Sequence, residues 1–350
     1  MYGASCPIPL QHAKKIILGH GSGGKMSLDL ISQVFLPRFD NPSLYEGNDA
    51  AVVDIMGESS PGKLVVSTDS HVVDPLFFNG GDIGRLAVCG TVNDVSMMGA
   101  TPLYLTAGFI LEEGLEMPIL EAIISSMKDA AEEAGIQIIA GDTKVVQKGK
   151  ADGMYINTAG IGVIRPGVNI KGSNAQVGDV VLLSGTIGDH GIAVLDARGD
   201  LGFVSDVVSD VAPLNHMIQD SLSESNAIHV MRDPTRGGLA TTLNEIARQS
   251  QVGIFLDESQ IPINPSVQSA CELLGFDPLY IANEGKVVFI LTKEAAPIVL
   301  NILRKSKFGK EACLIGEIKP DPKGRVLLRT TLGSTRIIDI PSGEILPRIC

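Results

Sequence analysis

Two kinds of residue in this chain could do chemistry: a cysteine at its last position and a carboxylate that recurs at element ends. The 350 residues close on Pro347-Arg348-Ile349-Cys350. A chain end is the least restrained part of a domain, so a thiol there can be carried between sites. The segment before it, from Leu332-Gly333-Ser334-Thr335 to Ile340-Pro341-Ser342-Gly343-Glu344, mixes Gly, Ser, Pro and Ile. It reads as a peelable arm with short extended pieces, with Gly333 and Gly343 as hinges. Taken alone, a frayed terminus with an incidental cysteine fits equally well.

The carboxylates lie in Asn48-Asp49-Ala50-Ala51, Thr68-Asp69-Ser70-His71, Asn93-Asp94, Gly141-Asp142-Thr143-Lys144 and Arg232-Asp233-Pro234. Each adjoins an apolar run. One such Asp is usually a cap or a turn residue. A set of them suggests convergence on a hydrated divalent cation, which takes hard oxygen ligands and keeps waters that a phosphate can replace. Whether they meet in space is left to the fold.

Three further motifs bear on an anionic substrate. In Gly19-His20-Gly21-Ser22-Gly23-Gly24-Lys25, close-spaced glycines let main-chain N–H groups turn toward an anion, and Lys25 adds a charge. The spacing is not that of a P-loop, and a plain flexible turn is the alternative. Asp233-Pro234-Thr235-Arg236-Gly237-Gly238-Leu239 leads into Leu239, Leu243, Ile246 and Ala247 at helical spacing. Asp at the cap and Pro at the first position predict a helix starting there, with Arg236 and free N–H groups open to phosphate. In Ala282-Asn283-Glu284-Gly285-Lys286, Glu284 at a strand edge could serve as a base, although alone the motif reads as a surface turn.

Composition narrows the class. Net charge is −12, against a nucleic-acid surface, so a polyanionic substrate would need local cations. No apolar run is long enough to span a bilayer and no secretory signal is visible, so no membrane is expected and the cytoplasm is the expected place. Cys6, Cys89, Cys271, Cys313 and Cys350 form no C-x-x-C pair, which argues against a disulfide framework or a structural zinc. Cys89, Cys271 and Cys313 read as small buried hydrophobes.

The elements that must position these groups follow from periodicity. Ile83, Leu86, Ala87 and Gly90 predict a helix over 82–98, capped by Asp82 and ended at Gly99. Pro118 and Gly135 bracket a second helix. Strands are predicted over 50–55, 63–67, 103–110, 136–140 (short and buried) and 155–164. After a turn-rich stretch at 165–178, strands over 179–184, 252–256 and 287–292 alternate irregularly with helices after 233 and around 295–305. This is two α+β domains, not a doubly wound parallel sheet. The organisation expected is a flexible segment with the Gly-rich loop (1–40), an N-terminal domain (41–165), a C-terminal domain (176–330) and a mobile tail (331–350).

Taken together, these motifs resemble the ATP-dependent enzymes that include aminoimidazole ribonucleotide synthetase, selenophosphate synthetase and thiamine-monophosphate kinase. The match is more specific for the carbamoyl dehydratases of nickel–iron hydrogenase maturation, in Gly-Ser-Gly-Gly-Lys (21–25), Asn-Asp-Ala-Ala-Val (48–52), Asn-Asp-Val-Ser-Met-Met-Gly-Ala (93–100), Gly-Asp-Thr-Lys-Val-Val (141–146), Arg-Asp-Pro-Thr-Arg-Gly-Gly-Leu-Ala (232–240) and the final Pro-Arg-Ile-Cys. It covers residues 16–350. The resemblance implies the PurM-like fold, with an N-terminal sheet completing a barrel across a homodimer and ATP between the domains beneath the Gly-rich segment. It implies that a partner carbamoyltransferase loads Cys350, that ATP drives dehydration to a thiocyanate, and that the cyanide passes to an iron-carrying maturation complex. Asp49, Asp94 and Asp233 match the Mg²⁺ carboxylates. Gly23, Gly24, Lys25, Thr68, Asp69, Asn93, Asp142, Thr143 and Arg236 match nucleotide-pocket positions. Glu284 is expected as base and Lys144 as its electrostatic partner. A different ATP-dependent phosphoryl transferase, with Cys350 incidental, and a non-enzymatic thiol carrier stay open.

Overall fold

Asp82 does what its position predicts. Its carboxylate accepts the N–H groups of Gly84 (2.7 Å) and Arg85 (3.1 Å), capping a helix over Ile83–Met97. That helix is buried on nearly every face, because it lies between a sheet and the second half of the chain. The computed structural model describes residues 16, 20, 24–39, 42–54, 63–199, 205–341, 343, 346 and 348–350. Gly19, Gly21, Ser22, Gly23 and Cys6, named above, lie outside the described residues.

The first part of the chain holds α1 (Lys25–Leu30), a π-helical turn (Ile31–Phe35), α2 (Leu36–Phe39) and α3 (Pro42–Tyr45). Then come β1 (Ala51–Asp54), β2 (Lys63–His71), a small hairpin of β3 (Phe77–Phe78) and β4 (Gly81–Asp82), α4 (Ile83–Met97), β5 (Ala100–Glu112), α5 (Met117–Ala134), β6 (Gln137–Val146) and β7 (Met154–Ile164). The five-stranded sheet runs β1-β2-β7-β5-β6. Only its β5–β6 edge pair is parallel, with Gly108 opposite Asp142 and Ile110 opposite Lys144. Helices α4 and α5 cover one face of this sheet around Leu86, Val92, Leu105, Ile123, Met127 and Ile156.

The second part holds β8 (Val180–Leu183), α6 (Asp189–Arg198), α7 (Asn215–Glu224), β9 (Ile228–Arg232), α8 (Gly238–Ser250), β10 (Gly253–Asp257), α9 (Pro265–Leu274), β11 (Val288–Leu291), α10 (Ala296–Lys305), β12 (Cys313–Lys319), β13 (Arg325–Arg329) and β14 (Thr335–Ile338). Its seven-stranded sheet runs β14-β13-β10-β12-β8-β11-β9. One apolar layer lies against α8 and another against α7 and α10. The two halves are tied by side chains reaching main-chain groups: Asn93 to Ala212 and Leu214, Arg85 to Val211, and Asn79 to Val207.

Three expectations are corrected. The strand predicted over 136–140 is longer and exposed along most of its length, because it is the sheet's edge with no neighbour on its outer side. The helix after Asp233 starts at Gly238, not at Asp233. Gly237 (φ 78°) and Gly238 (φ 60°) are both left-handed, which breaks the helix before it reaches the Asp-Pro pair. A side chain at Gly238 would also collide with the Leu279 and Ile281 carbonyl oxygens at 2.6 Å, so that helix end is covered by main chain. Finally, the arm is anchored over its first half. Strand β14 pairs with β13, Ile338 and Ile340 are buried, and Gly333 is the tip of a hydrogen-bonded turn instead of a free hinge.

Candidate active site

The Cys350 thiol lies inside the molecule, between the two halves, and is 8% exposed. Four groups put it there. The N–H of Val72, just past β2, donates to the Cys350 main-chain oxygen at 3.0 Å. The Asp74 N–H donates to the Arg348 carbonyl at 3.2 Å. His190, in the first turn of α6, bonds through Nε2 to the Ile349 carbonyl at 2.8 Å. Arg198, in the last turn of α6, donates to the Arg348 carbonyl and to the Asp74 carbonyl. Ile349 and Cys350 themselves join the apolar layer around α4.

The charges around the sulfur come from separate elements. Burial pushes the Cys350 thiol up to about 12; Arg236 opposes this, and Glu284, Asp69 and Asp94 add to it. The Arg236 guanidinium is in turn held protonated against its burial, its proton affinity raised by Cys350, Asp69, Glu284 and Asp94. The docked sulfur is therefore a poor nucleophile as a free thiol, since attack needs the thiolate. A sulfur that already carries an acyl group has no such proton to lose.

Glu284 sits in the strand-edge loop before β11 and is 4% exposed. Burial raises its carboxyl well above the usual range, with the charges of Asp69, Asp233 and Asp210 adding to the shift and Arg236 opposing it. Its Oε1 is buried with no partner among the described residues. The loop is held rigidly. Asp210 accepts the N–H of Glu284 (3.0 Å) and of Gly285 (3.2 Å) and pairs with Lys286 at 3.0 Å. Asn93 donates to the Glu284 carbonyl at 3.2 Å, and Asn283 bridges Gly188 and Pro234. A buried carboxyl with a fixed backbone and an unmatched oxygen is suited to exchange a proton with a ligand.

Asp49, Asp94 and Asp233 do share one charged neighbourhood. Asp94 accepts a hydrogen bond from Ser67 at 2.7 Å. Burial raises its carboxyl well above normal, and Asp233, Asp69 and Asp49 push it further. Asp233 is raised to about 8, by burial first and Asp49 next. Asp49 is raised to about 6 by burial, against the pull of Arg232, its partner at 2.9 Å. Asp49 Oδ2 is buried with no hydrogen-bond partner among the described residues. Mutually repelling buried carboxylates with a spare oxygen fit a divalent cation. Among the described residues, no three Asp, Glu, His or Cys side chains form a ready-made cage. Mg²⁺ is commonly held by one or two carboxylates, with water and phosphate completing its shell.

The remaining candidates divide. Thr68 and Asp69 lie on β2 beside the cluster, with Thr68 bonded to the Thr158 carbonyl at 3.0 Å. Gly24 and Lys25 open α1, and the Lys25 N–H bonds to the Pro341 carbonyl at 3.2 Å. A side chain at Gly24 would meet that oxygen at 2.7 Å, so glycine is required where the tail crosses. Asn93, expected among nucleotide contacts, is buried with both amide atoms committed to main-chain groups, so here it braces the Glu284 loop. Asp142, Thr143 and Lys144 are all exposed on β6, where Lys144 pairs with Asp142 on one face at 2.5 Å. The charges that bear most on Glu284 are Asp69, Asp233, Asp210 and Arg236. Sequence reasoning missed His190, Arg198 and Asp210. None lies in a motif, and each works through main-chain groups distant in sequence.

Comparison with known proteins bears on the family and the fold. Residues 47–164 match the family described as AIR synthase related protein, N-terminal domain, and residues 176–329 match its C-terminal domain. The carbamoyl dehydratase HypE of Cupriavidus necator is 51% identical over 336 residues, 96% of this chain and 95% of that protein. HypE of Escherichia coli K12 is 47% identical over 336 residues, covering 96% and 99%. A HypE–HypF complex superposes with a TM-score of 0.84 at 50% identity, over 89% of this chain and 99% of that one. HypE in complex with ATP gives 0.80 at 51% identity, over 96% and 100%. A thiamine-monophosphate kinase-type structure, at 19% identity and a TM-score of 0.64, shares the fold alone. The chain belongs to the HypE family of carbamoyl dehydratases, on the two-domain AIR synthase-related (PurM-like) fold.

Proposed function

We propose that this chain dehydrates a carbamoyl group carried on the Cys350 sulfur, using ATP, and leaves a thiocyanate. The observation that carries the reading is the docked position of Cys350, buried where the charges of Arg236, Glu284, Asp69 and Asp94 act on its sulfur. An incidental terminal cysteine would have no reason to be held there.

The chemistry closes. S–C(=O)–NH₂ must lose its oxygen and both amide protons. The amide oxygen attacks the terminal phosphorus of ATP and ADP leaves. The C–O bond then breaks, phosphate leaves with the bonding electrons, and the nitrogen pair completes S–C≡N. One nitrogen proton passes to the Glu284 carboxylate as the oxygen is phosphorylated, the second leaves with the departing phosphate, and Arg236 offsets the charge that gathers at the oxygen. Asp49, Asp94 and Asp233 would hold Mg²⁺, which neutralises phosphate charge when bound. Gly23, Gly24, Lys25, Thr68, Asp69, Asp142 and Thr143 are proposed around the nucleotide, with the Gly-rich segment covering it. Lys144 is assigned to dehydration and must reach the group by way of another copy or a closing movement.

We further assign a HypF-type carbamoyltransferase as the donor to Cys350 and an iron-carrying HypC–HypD complex as the cyanide acceptor. The proposed homodimer joins N-terminal domains into a barrel. Supporting it are the unpaired edge strand β6 and the exposed Ile110, Ile138, Ile139 and Val145.

The test is the mass of the C-terminal peptide after incubation with the carbamoyltransferase, carbamoyl phosphate and ATP. The expected result is a carbamoyl adduct that loses water only when ATP is present. An adduct that persists through ATP turnover, or ATP consumed on a free small-molecule acceptor, would overturn the reading.

A further inference from the structure

We propose that the last three residues are read through their main chain by a receptor made of His190, Arg198 and the 72–74 segment, and that His190 is the positioning residue that sets how deep the thiol enters. This rests on Cys350 being the carrier.

Each residue of the terminal tripeptide has a main-chain oxygen held by a donor. Arg348 is held by the Asp74 N–H and Arg198, Ile349 by His190, and Cys350 by the Val72 N–H. The Arg348 side chain reaches back to the Val72 carbonyl at 3.0 Å and pairs with Asp152. None of these bonds uses the sulfur. Free, carbamoylated and cyanated tails therefore offer the same handle, and the receptor holds the chain in one register while the group on sulfur changes.

His190 is prepared for one role. A carbonyl can only accept, so Nε2 carries the proton that reaches Ile349. In the neutral ring Nδ1 is then an acceptor, and it lies 2.8 Å from the Ser209 hydroxyl. That hydroxyl oxygen takes the Val211 N–H at 3.2 Å, which leaves its own proton free to donate to Nδ1. Phe78 packs on the ring in a T-shaped arrangement with centroids 5.3 Å apart, and His190 is fully buried. The tautomer and the ring direction are both set before the tail arrives, so little rotamer freedom is lost on docking.

The test reads docking directly, by the rate at which Cys350 is alkylated by iodoacetamide, measured on the C-terminal peptide. His190→Phe keeps the ring bulk and removes the donor. The expected effect is an alkylation rate raised about tenfold, the usual worth of one buried hydrogen bond. His190→Gln, which can still donate, should recover part of the protection. Arg198→Gln, at a half-buried side chain, should also raise the rate and carries the test if His190→Phe melts early. Parental rates in both His190→Phe and Arg198→Gln would overturn the receptor. Equal exposure in His190→Phe and His190→Gln would overturn the donor role of His190. The assay needs neither ATP nor a carbamoyltransferase. Parental rates with normal thiocyanate formation would overturn the receptor alone, whereas protected tails that never dehydrate would overturn the catalytic reading alone.

Discussion

The carboxylate of Asp210 accepts the main-chain N–H of Glu284 at 3.0 Å, so the proposed base is held by a residue 74 positions earlier in the chain. Asp210 keeps its own charge, below the usual carboxylate range despite burial, because Lys286 faces it and the Glu284 N–H and the Lys286 ammonium hydrogen-bond to it. It is thus both the brace of the Glu284 loop and one of the charges that raise the Glu284 carboxyl.

Glu284→Gln is expected to accept the carbamoyl group on Cys350 and stall before the nitrile. Loss of a general base typically costs 10²–10⁴ in rate, so nitrile formation should fall at least about a hundredfold. Time-resolved mass of the C-terminal peptide checks this; nitrile at the parental rate would remove Glu284 from the step. Lys144→Ala should stall at the same stage.

Asp233→Asn should stabilise the protein in the absence of nucleotide, and more so as pH rises. The folded-state value of about 8 lies above the ordinary 3.8, so the folded protein holds a proton that the unfolded chain has lost. Stability then falls as pH climbs from about 4 to about 8, and the Asn variant escapes that loss. The expected gain at pH 8 is on the order of 1–3 kcal/mol, read from denaturant unfolding at pH 5 and pH 8. A gain that is equal at both pH values would contradict the assignment.

Asp94→Asn should weaken Mg-ATP binding at least about tenfold while leaving the fold intact, because it removes one of the charges that a cation would balance. Titration calorimetry measures it. Unchanged affinity in the single Asn variants of Asp49, Asp94 and Asp233 would sink the metal assignment.

A dimer through β6 predicts that the protein scatters light as a pair of chains at micromolar concentration. Ile139→Lys, at a half-exposed apolar site on that edge, should shift it toward the monomer with little change in melting. A parental chain that scatters as a monomer would exclude the barrel.

Much of the architecture was legible in the residues themselves. Local rules set the α4 cap at Asp82, the stop of α5 at Gly135 and the buried strands of both sheets, because each depends on residues a few positions apart. The acidic motifs likewise marked Asp49, Asp94 and Asp233 before their shared charge was visible. Local rules failed where a distant segment decided the outcome. Asp233-Pro234 has the form of a helix start, yet paired left-handed glycines, pressed on the 279–281 main chain, move that start to Gly238. The 137–146 strand looks like core but lies exposed, since burial depends on which neighbour the sheet supplies. The tail's composition suggests mobility; only the tertiary structure brings Val72, Asp74, His190 and Arg198 to the main-chain oxygens of its last three residues. Main-chain acceptors carry no side-chain signature, so the sequence names the thiol, and the fold alone names what holds it.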